Sequence, residues 1–173
     1  SNPEKIYIGI GSDWFHVDND AGTTTKGTPQ DMCGSPAQIL ISGCQLAREH
    51  IDLLRQVAPV EIIAMPGNHD RMSSYALMMY LSAAYEFCDD VSIDISAMNR
   101  QYRSYGNNLL GFTHGDGLSR GTSMGMLMAT EAKEEWGTAS NHMWFHGHLH
   151  HQRMTEKDGV LIFQMPSLAG HDR

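Results

Sequence analysis

The sequence lacks several features that would place it in a well-defined class of protein. No apolar run approaches the roughly 20 residues that a membrane-spanning helix needs, and no signal peptide is recognisable. Only 3 cysteines are present among 173 residues, and they are far apart with no Cys-x-x-Cys pair. We expect free thiols in a reducing cytoplasm, which excludes a disulfide framework and a thiolate zinc site.

Positive charge is also scarce. The chain has 12 basic and 20 acidic residues, which gives a formal net charge of -8. This balance argues against a protein that holds nucleic acid through a general basic surface. A nuclease stays open, because bound divalent cations can reverse the local potential. Histidine, in contrast, is abundant: there are 10, and five of them fall between His142 and His151.

The length of 173 residues predicts one domain over residues 1–173, and a hydrophobic content of 41% can form an ordinary core. Ser1 and Asn2 are interpreted as a remnant of cloning and are left out. Strand and helix patterns alternate early and hairpins dominate late. The order predicts an α/β fold of two packed mixed sheets flanked by helices.

The predicted elements follow from hydrophobic periodicity and turn residues. Predicted strands cover 5–10, 60–65, 91–95, 101–105, 109–113, 143–145, 152–155 and 160–164. Predicted helices cover 36–57, about 73–87 and about 119–136. Ser73 or Ser74 is expected to cap the second helix. The Thr-rich stretch at 21–29 is interpreted as a solvated connection, with a loop that faces the substrate as the alternative.

Four polar loops, near Asp13, Asn68, His114 and His148, each follow a predicted strand. In open α/β sheets ligands bind at the carboxyl ends of the strands. If the strands share a sheet edge, the four loops converge and bring carboxylate, amide and imidazole groups together. Such a mixed oxygen and nitrogen set suits a hard or borderline divalent metal ion.

Residues 67–70, Gly-Asn-His-Asp, put an amide, an imidazole and a carboxylate on one loop. Burying these groups is unfavourable unless each has a polar partner, so the loop is better explained by a bound metal ion or phosphate. His148 and His150 can bracket two adjacent ions if they lie on a turn. Two metals about 3.5–4 Å apart would lower the pKa of a shared water and clamp an in-line displacement at phosphorus. His69 could protonate the leaving oxygen, with Asp70 holding its tautomer.

The other histidines receive weaker interpretations. A single histidine is more often a surface or satisfied core residue than a ligand, and this is the interpretation for His50, His142 and His171. The roles of His16, His146 and His151 stay open.

Taken in order, these motifs resemble the calcineurin-like metallophosphoesterases. Residues 67–70 match the Gly-Asn-His-Asp/Glu motif of that family, His114 its lone histidine, and residues 147–150 its Gly-His-x-His motif. Asp13, in Gly-Ser-Asp, resembles the Gly-Asp motif with one inserted serine. The Thr-rich stretch and the Pro-Ser-Leu sequence at 166–168 resemble phage or prophage members more than protein phosphatases.

The resemblance implies an α/β/β/α sandwich and a dinuclear centre of divalent ions, with manganese, iron, zinc, nickel and magnesium all open. Asp13 would be the bridging carboxylate. Asn68, His114 and His148 would complete one metal site, and His150 would join the second.

The same resemblance implies that His69 is the acid or transition-state stabiliser and that Asp70 supports it. The family's first motif, Asp-x-His, is absent from the sequence. The simplest account is a fragment that lacks the first strand and this motif. We therefore expect a complete site for one metal, an impaired site for the other, and slow turnover.

Two functions follow. The leading hypothesis is a cytoplasmic metal-dependent phosphoesterase, a phosphodiesterase or nuclease, whose partner is a phosphate ester or nucleic acid and not a membrane. The alternative is a non-catalytic metal-binding or scaffold domain that keeps the fold. A closed structural zinc site is disfavoured, because such sites usually include cysteine. The oligomeric state stays open.

Overall fold

Three parallel strands form the first sheet of the computed structural model, which describes residues 3–96, 98–118 and 121–167. The strands are β1 (Ile6–Gly11), β2 (Val60–Met65) and β3 (Val91–Asp94), in the order β1-β2-β3. All three predicted strands are confirmed within one residue at each end. Because Gly11 pairs with Met65, β1 and β2 end at the same edge of the sheet.

Two helices cover this sheet. Helix α1 (Pro36–Leu54) begins with a capping box between Ser35 and Gln38, and Pro36 lies in its first turn as predicted. The predicted end at 57 is wrong, because Arg55 caps the helix and Val57 lies outside it, 52% exposed.

Helix α2 (Arg71–Ala84) begins before both serines that were predicted to cap it, and it ends before the predicted residue 87. The apolar face of α2 was predicted to be core, and Leu77, Met78, Leu81 and Tyr85 are buried against the sheet residues.

The second sheet is mixed. Its strands are β4 (Arg100–Tyr105), β5 (Asn108–Thr113), β6 (Asn141–His146), β7 (Arg153–Lys157) and β8 (Val160–Gln164), in the order β4-β5-β6-β8-β7. Both predicted hairpins are confirmed, as the antiparallel pairs β4–β5 and β7–β8. The inner pairs β5–β6 and β6–β8 are parallel, so β5 and β6 also end at one edge.

The single helix predicted at about 119–136 is wrong. Two helices are present instead, α3 (Met124–Glu131) and α4 (Lys133–Thr138), because Ala132 between them leaves helical geometry with φ -120° and ψ 50°. The Ser123 side chain caps α3 by accepting a hydrogen bond from the Met126 amide. Residues 119 and 120, where the helix was predicted to start, lie outside the described residues, as do Ser1, Asn2, Leu168 and His171.

A second apolar cluster forms where α3 packs on its sheet. Trp144 is fully buried in this cluster with Leu109 and Met128, and its indole N–H donates to the Met124 carbonyl oxygen over 3.0 Å. The buried tryptophan therefore satisfies its polar atom inside the cluster.

The chain divides into two compact units, Ser1–Ala97 and Met98–Arg173, with one sheet in each. The predicted class, a mixed α/β fold with two sheets flanked by helices, is confirmed. The single domain over 1–173 stays a prediction. No described helix combines the length and apolar character that crossing a bilayer demands. The three cysteines are free, as predicted.

Candidate metal centre

The loop after β1 turns sharply through three left-handed residues. Gly11 has φ 102°, Ser12 φ 57° and Asp13 φ 64°. The Ser12 amide donates a hydrogen bond to the Met65 carbonyl oxygen at the end of β2. Positive φ is uncommon outside glycine, and strained positions of this kind cluster at functional sites. The fold thus holds Asp13 in a costly conformation at the predicted ligand position.

Two aromatic residues anchor this loop to α1. The Phe15 ring is 2% exposed and lies against Gly43, where an added Cβ would come within 2.9 Å of the ring's Cζ. The Trp14 indole N–H donates to the Gly43 carbonyl oxygen over 3.1 Å. A glycine in the middle of a helix is unfavourable by itself, and the Phe15 ring explains why one is needed here.

The Asp13 carboxylate also contacts the loop after β2. The His69 amide donates to Asp13 Oδ1 over 2.8 Å. Gly67 makes this approach possible, because a Cβ there would clash with Asp13 Oδ1 and lie 2.6 Å from Asp70 Oδ1. Asn68 and His69 are half-buried on the same loop. In the first unit, four predicted site residues therefore lie at one sheet edge: Asp13, Asn68, His69 and Asp70.

Asp70 is buried beneath this loop, with none of its surface exposed. Its Oδ2 accepts from the Phe15 amide over 2.9 Å, and its Oδ1 accepts from the Gly67 amide over 3.2 Å. Burial raises the pKa of the carboxyl to about 6 and the Asp13 charge adds to the rise, while the Phe15 amide opposes it. Asp70 thus ties the two loops together, and its support of the His69 tautomer stays a prediction.

In the second unit, His114 and His148 lie close together. His114 directly follows β5 and is 2% exposed, and His148 follows β6. The Gly147 amide donates to the His114 carbonyl oxygen over 3.0 Å, and the two imidazole centroids are 5.0 Å apart at an interplanar angle of 69°. Two imidazoles this close together could both offer a ring nitrogen to one divalent ion.

The loop that carries His148 is a turn and not an extension of the strand. His148 has φ 68° and His150 φ 55°, and the Leu149 amide donates back to the Gly147 carbonyl oxygen over 2.9 Å. His148 is half-buried and His150 is exposed. The two side chains are therefore free of the strict alternation that a strand would impose on them.

Four other histidines, His16, His142, His146 and His151, donate to backbone carbonyl oxygens. His146 is buried on β6 and donates from Nδ1 to Gly147 over 3.1 Å, and burial lowers its pKa. His151 donates from Nδ1 to Leu149 over 2.7 Å, and His16 from Nε2 to Asp31 over 2.9 Å.

His142 stacks on Trp136 with centroids 3.8 Å apart and donates to the Trp136 carbonyl oxygen over 3.2 Å. Its interpretation as a satisfied residue agrees with these contacts.

Sequence reasoning missed two residues that bind the His69 loop. The Thr25 amide donates to the His69 carbonyl oxygen over 3.0 Å, and Thr25 Oγ1 accepts from the Arg71 amide over 3.1 Å. Asp18 Oδ1 accepts from the Ser73 amide over 2.7 Å. Asp70 at the N-cap makes no side-chain cap bond to α2, and no signal of this is present in the sequence, because aspartate is a common N-cap residue.

Comparison with known proteins gives a likeness of structure only. A scan against models of protein families found no match, and a sequence search of curated proteins found none either. A single mutant of Vps29 from Entamoeba histolytica has 16% identity and a TM-score of 0.45, over 98% of this chain and 77% of that one. Vps29 from Chaetomium thermophilum has 16% identity and a TM-score of 0.35, over 72% and 57%. Likenesses of this size identify neither a family nor a function.

Proposed function

We propose that this chain is a metal-dependent phosphoesterase domain. The proposal rests on the positions of the residues with strained backbone. Five non-glycine residues within 3–96, 98–118 and 121–167 have positive φ: Ser12, Asp13, His148, His150 and Asp158. Four of the five lie in the two loops that carry predicted metal ligands. Strain of this kind persists where the surrounding fold enforces it, and ligand sites are a common reason.

The proposal assigns Asp13 as a ligand for a divalent ion in the first unit, and His114 and His148 as a ligand pair in the second. Asn68 is the proposed fourth ligand, and His150 is assigned to a second ion. A carboxylate, an amide oxygen and imidazoles form a donor set that fits a hard or borderline divalent ion. When bound, such ions neutralise phosphate charge and lower the pKa of a coordinated water.

The chain's own residues then have separate tasks in this proposal. Asp13 provides negative charge at the metal and fixes the His69 backbone through its Oδ1. His69 donates a proton to the leaving oxygen from its imidazole ring. Asp70, buried and bound to two amides, keeps the loop rigid so that Asn68 and His69 stay in place.

The proposed substrates are phosphodiesters, nucleic acid included. The net charge of -8 speaks against a broad basic docking surface, so recognition of phosphate would depend on the metal ions. An alternative function is a non-catalytic metal-binding domain. The specific observation that favours it is that the sequence contains no Asp-x-His, the motif that would complete a second metal site.

Hydrolysis of bis(p-nitrophenyl) phosphate tests the proposal. The protein is incubated in turn with manganese, nickel, magnesium and zinc, beside His69→Ala and the control His50→Ala at an exposed position of α1. We expect metal-dependent turnover, lowered about 100-fold by H69A and unchanged in H50A. Metal binding by calorimetry without turnover on any phosphomonoester or diester would favour the non-catalytic domain. Absence of both would remove the proposal.

A further inference from the structure

Two hydrogen bonds of Thr25 tie the Thr-rich loop to the candidate catalytic loop and the start of α2, and Asp18 supports them. The Thr25 amide donates to the His69 carbonyl oxygen over 3.0 Å. The Thr25 hydroxyl accepts from the Arg71 amide over 3.1 Å and donates to Asp18 Oδ2 over 2.7 Å. The other oxygen of Asp18 accepts from the Ser73 amide over 2.7 Å. Residues 25–29 are exposed, as expected of a solvated surface loop, and Thr25 within them is also bound to the residues around His69.

The backbone of His69 is held by hydrogen bonds on both sides. Thr25 holds the carbonyl of residue 69 and the amide of residue 71, while Asp13 holds the amide of residue 69. The backbone of His69 is therefore fixed through both its own polar groups. A side chain whose backbone is held at both ends keeps a narrow range of positions.

Thr25 and Asp18 also take over the capping of α2. Asp70 at the N-cap makes no side-chain cap bond, and its oxygens go to Phe15 and Gly67. The amides of Arg71 and Ser73, which lack partners inside the helix, are bound by Thr25 and Asp18. This division leaves Asp70 free to join the loops, and it makes the start of α2 depend on a loop about 45 residues earlier in the chain.

The Thr-rich loop is ordered by its own bonds. Thr24 is buried, its amide donates to the Thr28 carbonyl oxygen over 2.9 Å, and the Gly27 amide donates to the Thr24 carbonyl oxygen over 2.8 Å. Thr23 and Pro29 form an antiparallel bridge. The loop can therefore transmit rigidity to His69 through Thr25.

We propose that Thr25, supported by Asp18, is a positioning residue that sets the His69 imidazole for proton donation. The inference rests on the proposed function. The hydroxyl is the group that a substitution can remove, because it binds the Arg71 amide and Asp18 while the Thr25 amide keeps its bond to His69 in every variant. Serine can make both hydroxyl bonds, whereas valine has the shape of threonine and can make neither.

The test compares Thr25→Val, Thr25→Ser and the control Thr28→Val in the intact chain. Residue 28 is exposed on the same loop, so T28V measures the effect of an added valine there. We expect T25V to lower kcat about tenfold with KM and calorimetric metal affinity within twofold of the original. T25S should restore kcat to within twofold, and T28V should leave it unchanged. Equal kcat in T25V and T28V, or no rescue by serine, would overturn the proposal.

A second readout separates this inference from the proposed function. The imidazole ¹H–¹³C NMR signals of His69 are compared at one pH in the original protein, T25V and T28V, with assignment by His69→Ala. We expect the His69 signals to shift or broaden in T25V alone. If the original protein has no phosphoesterase activity, the function fails while this measurement still decides the positioning. Unchanged His69 signals in T25V would overturn the positioning whatever the activity.

Discussion

The amide of His69 donates a hydrogen bond of 2.8 Å to the Asp13 carboxylate, across 56 residues of sequence. The bond joins the loops that follow β1 and β2, and it uses the oxygen atom Oδ1. The same carboxylate is therefore a structural acceptor and a proposed metal ligand. A substitution that keeps the acceptor but removes the charge can separate these two tasks.

Asp13→Asn is that substitution. The amide oxygen still accepts from His69, so the free energy of unfolding should change by less than about 1 kcal/mol. A neutral ligand attracts a divalent cation less strongly, so we expect manganese affinity, measured by calorimetry, to fall at least about tenfold. Asp20→Asn, exposed on the same segment, is the control and should keep the original affinity. Equal losses in both variants would mean that only net charge matters.

Gly43→Ala tests how the Asp13 loop is anchored. Alanine favours helix over glycine, but a Cβ at residue 43 would lie 2.9 Å from Phe15 Cζ and 3.1 Å from Cδ1. We expect a loss of about 1–3 kcal/mol in unfolding free energy from overpacking, measured by urea denaturation.

The matched control for that change is Gly137→Ala in α4, where an added Cβ meets nothing within 4 Å. Here only the higher helix propensity of alanine should act, so we expect the free energy of unfolding to rise by about 0.5–1 kcal/mol. Stabilisation by both substitutions would contradict the contact between Phe15 and α1.

Local signals made most of the fold predictable. The β-branched run at 60–65 and the turns at 106–107 and 158–159 set strands and hairpins through neighbours in sequence. The start of α2 was not predictable in this way, because its amides are bound by Thr25 and Asp18, which are distant in the chain. The break at Ala132 was missed because alanine favours helix and no glycine or proline marks the break in the sequence.

The sequence predicted some features of the candidate site but not others, for the same reason. The order of ligand-type residues after strands predicted which loops to examine, and in the second unit His114 and His148 do lie together. Residue type could not tell a ligand from an anchor. Asp70 looks like a catalytic carboxylate in the sequence, yet both its oxygens are bound to backbone amides.

Acid should weaken the contact between β4 and α3. Arg100 donates to Glu131 Oε1 over 2.6 Å and Tyr102 donates to Oε2 over 2.6 Å, and these hydrogen bonds lower the Glu131 pKa, Arg100 being the larger cause. A carboxyl with a lowered pKa in the folded state stabilises above its unfolded pKa, about 4.3. This stabilisation is lost as pH falls through the folded value.

Glu131→Gln should therefore cost about 1 kcal/mol of unfolding free energy at pH 7, and the cost should shrink as the pH falls towards about 3. Urea denaturation at several pH values measures the difference. Glu156→Gln, at an exposed position of β7, controls for loss of one negative charge. A cost for E131Q that stays constant with pH would contradict the ion pair as its source.

Metal binding should be visible as added thermal stability. A ligand that binds only the folded state stabilises it by about 2.7 kcal/mol at 100 times its Kd. We therefore expect manganese to raise the Tm of the protein and EDTA to reverse the rise. His148→Ala should abolish the shift, because it removes one imidazole of the pair whose centroids are 5.0 Å apart. His50→Ala, exposed on α1, should keep it. An equal Tm rise in both variants would place the metal elsewhere, since only residue 148 belongs to the proposed centre.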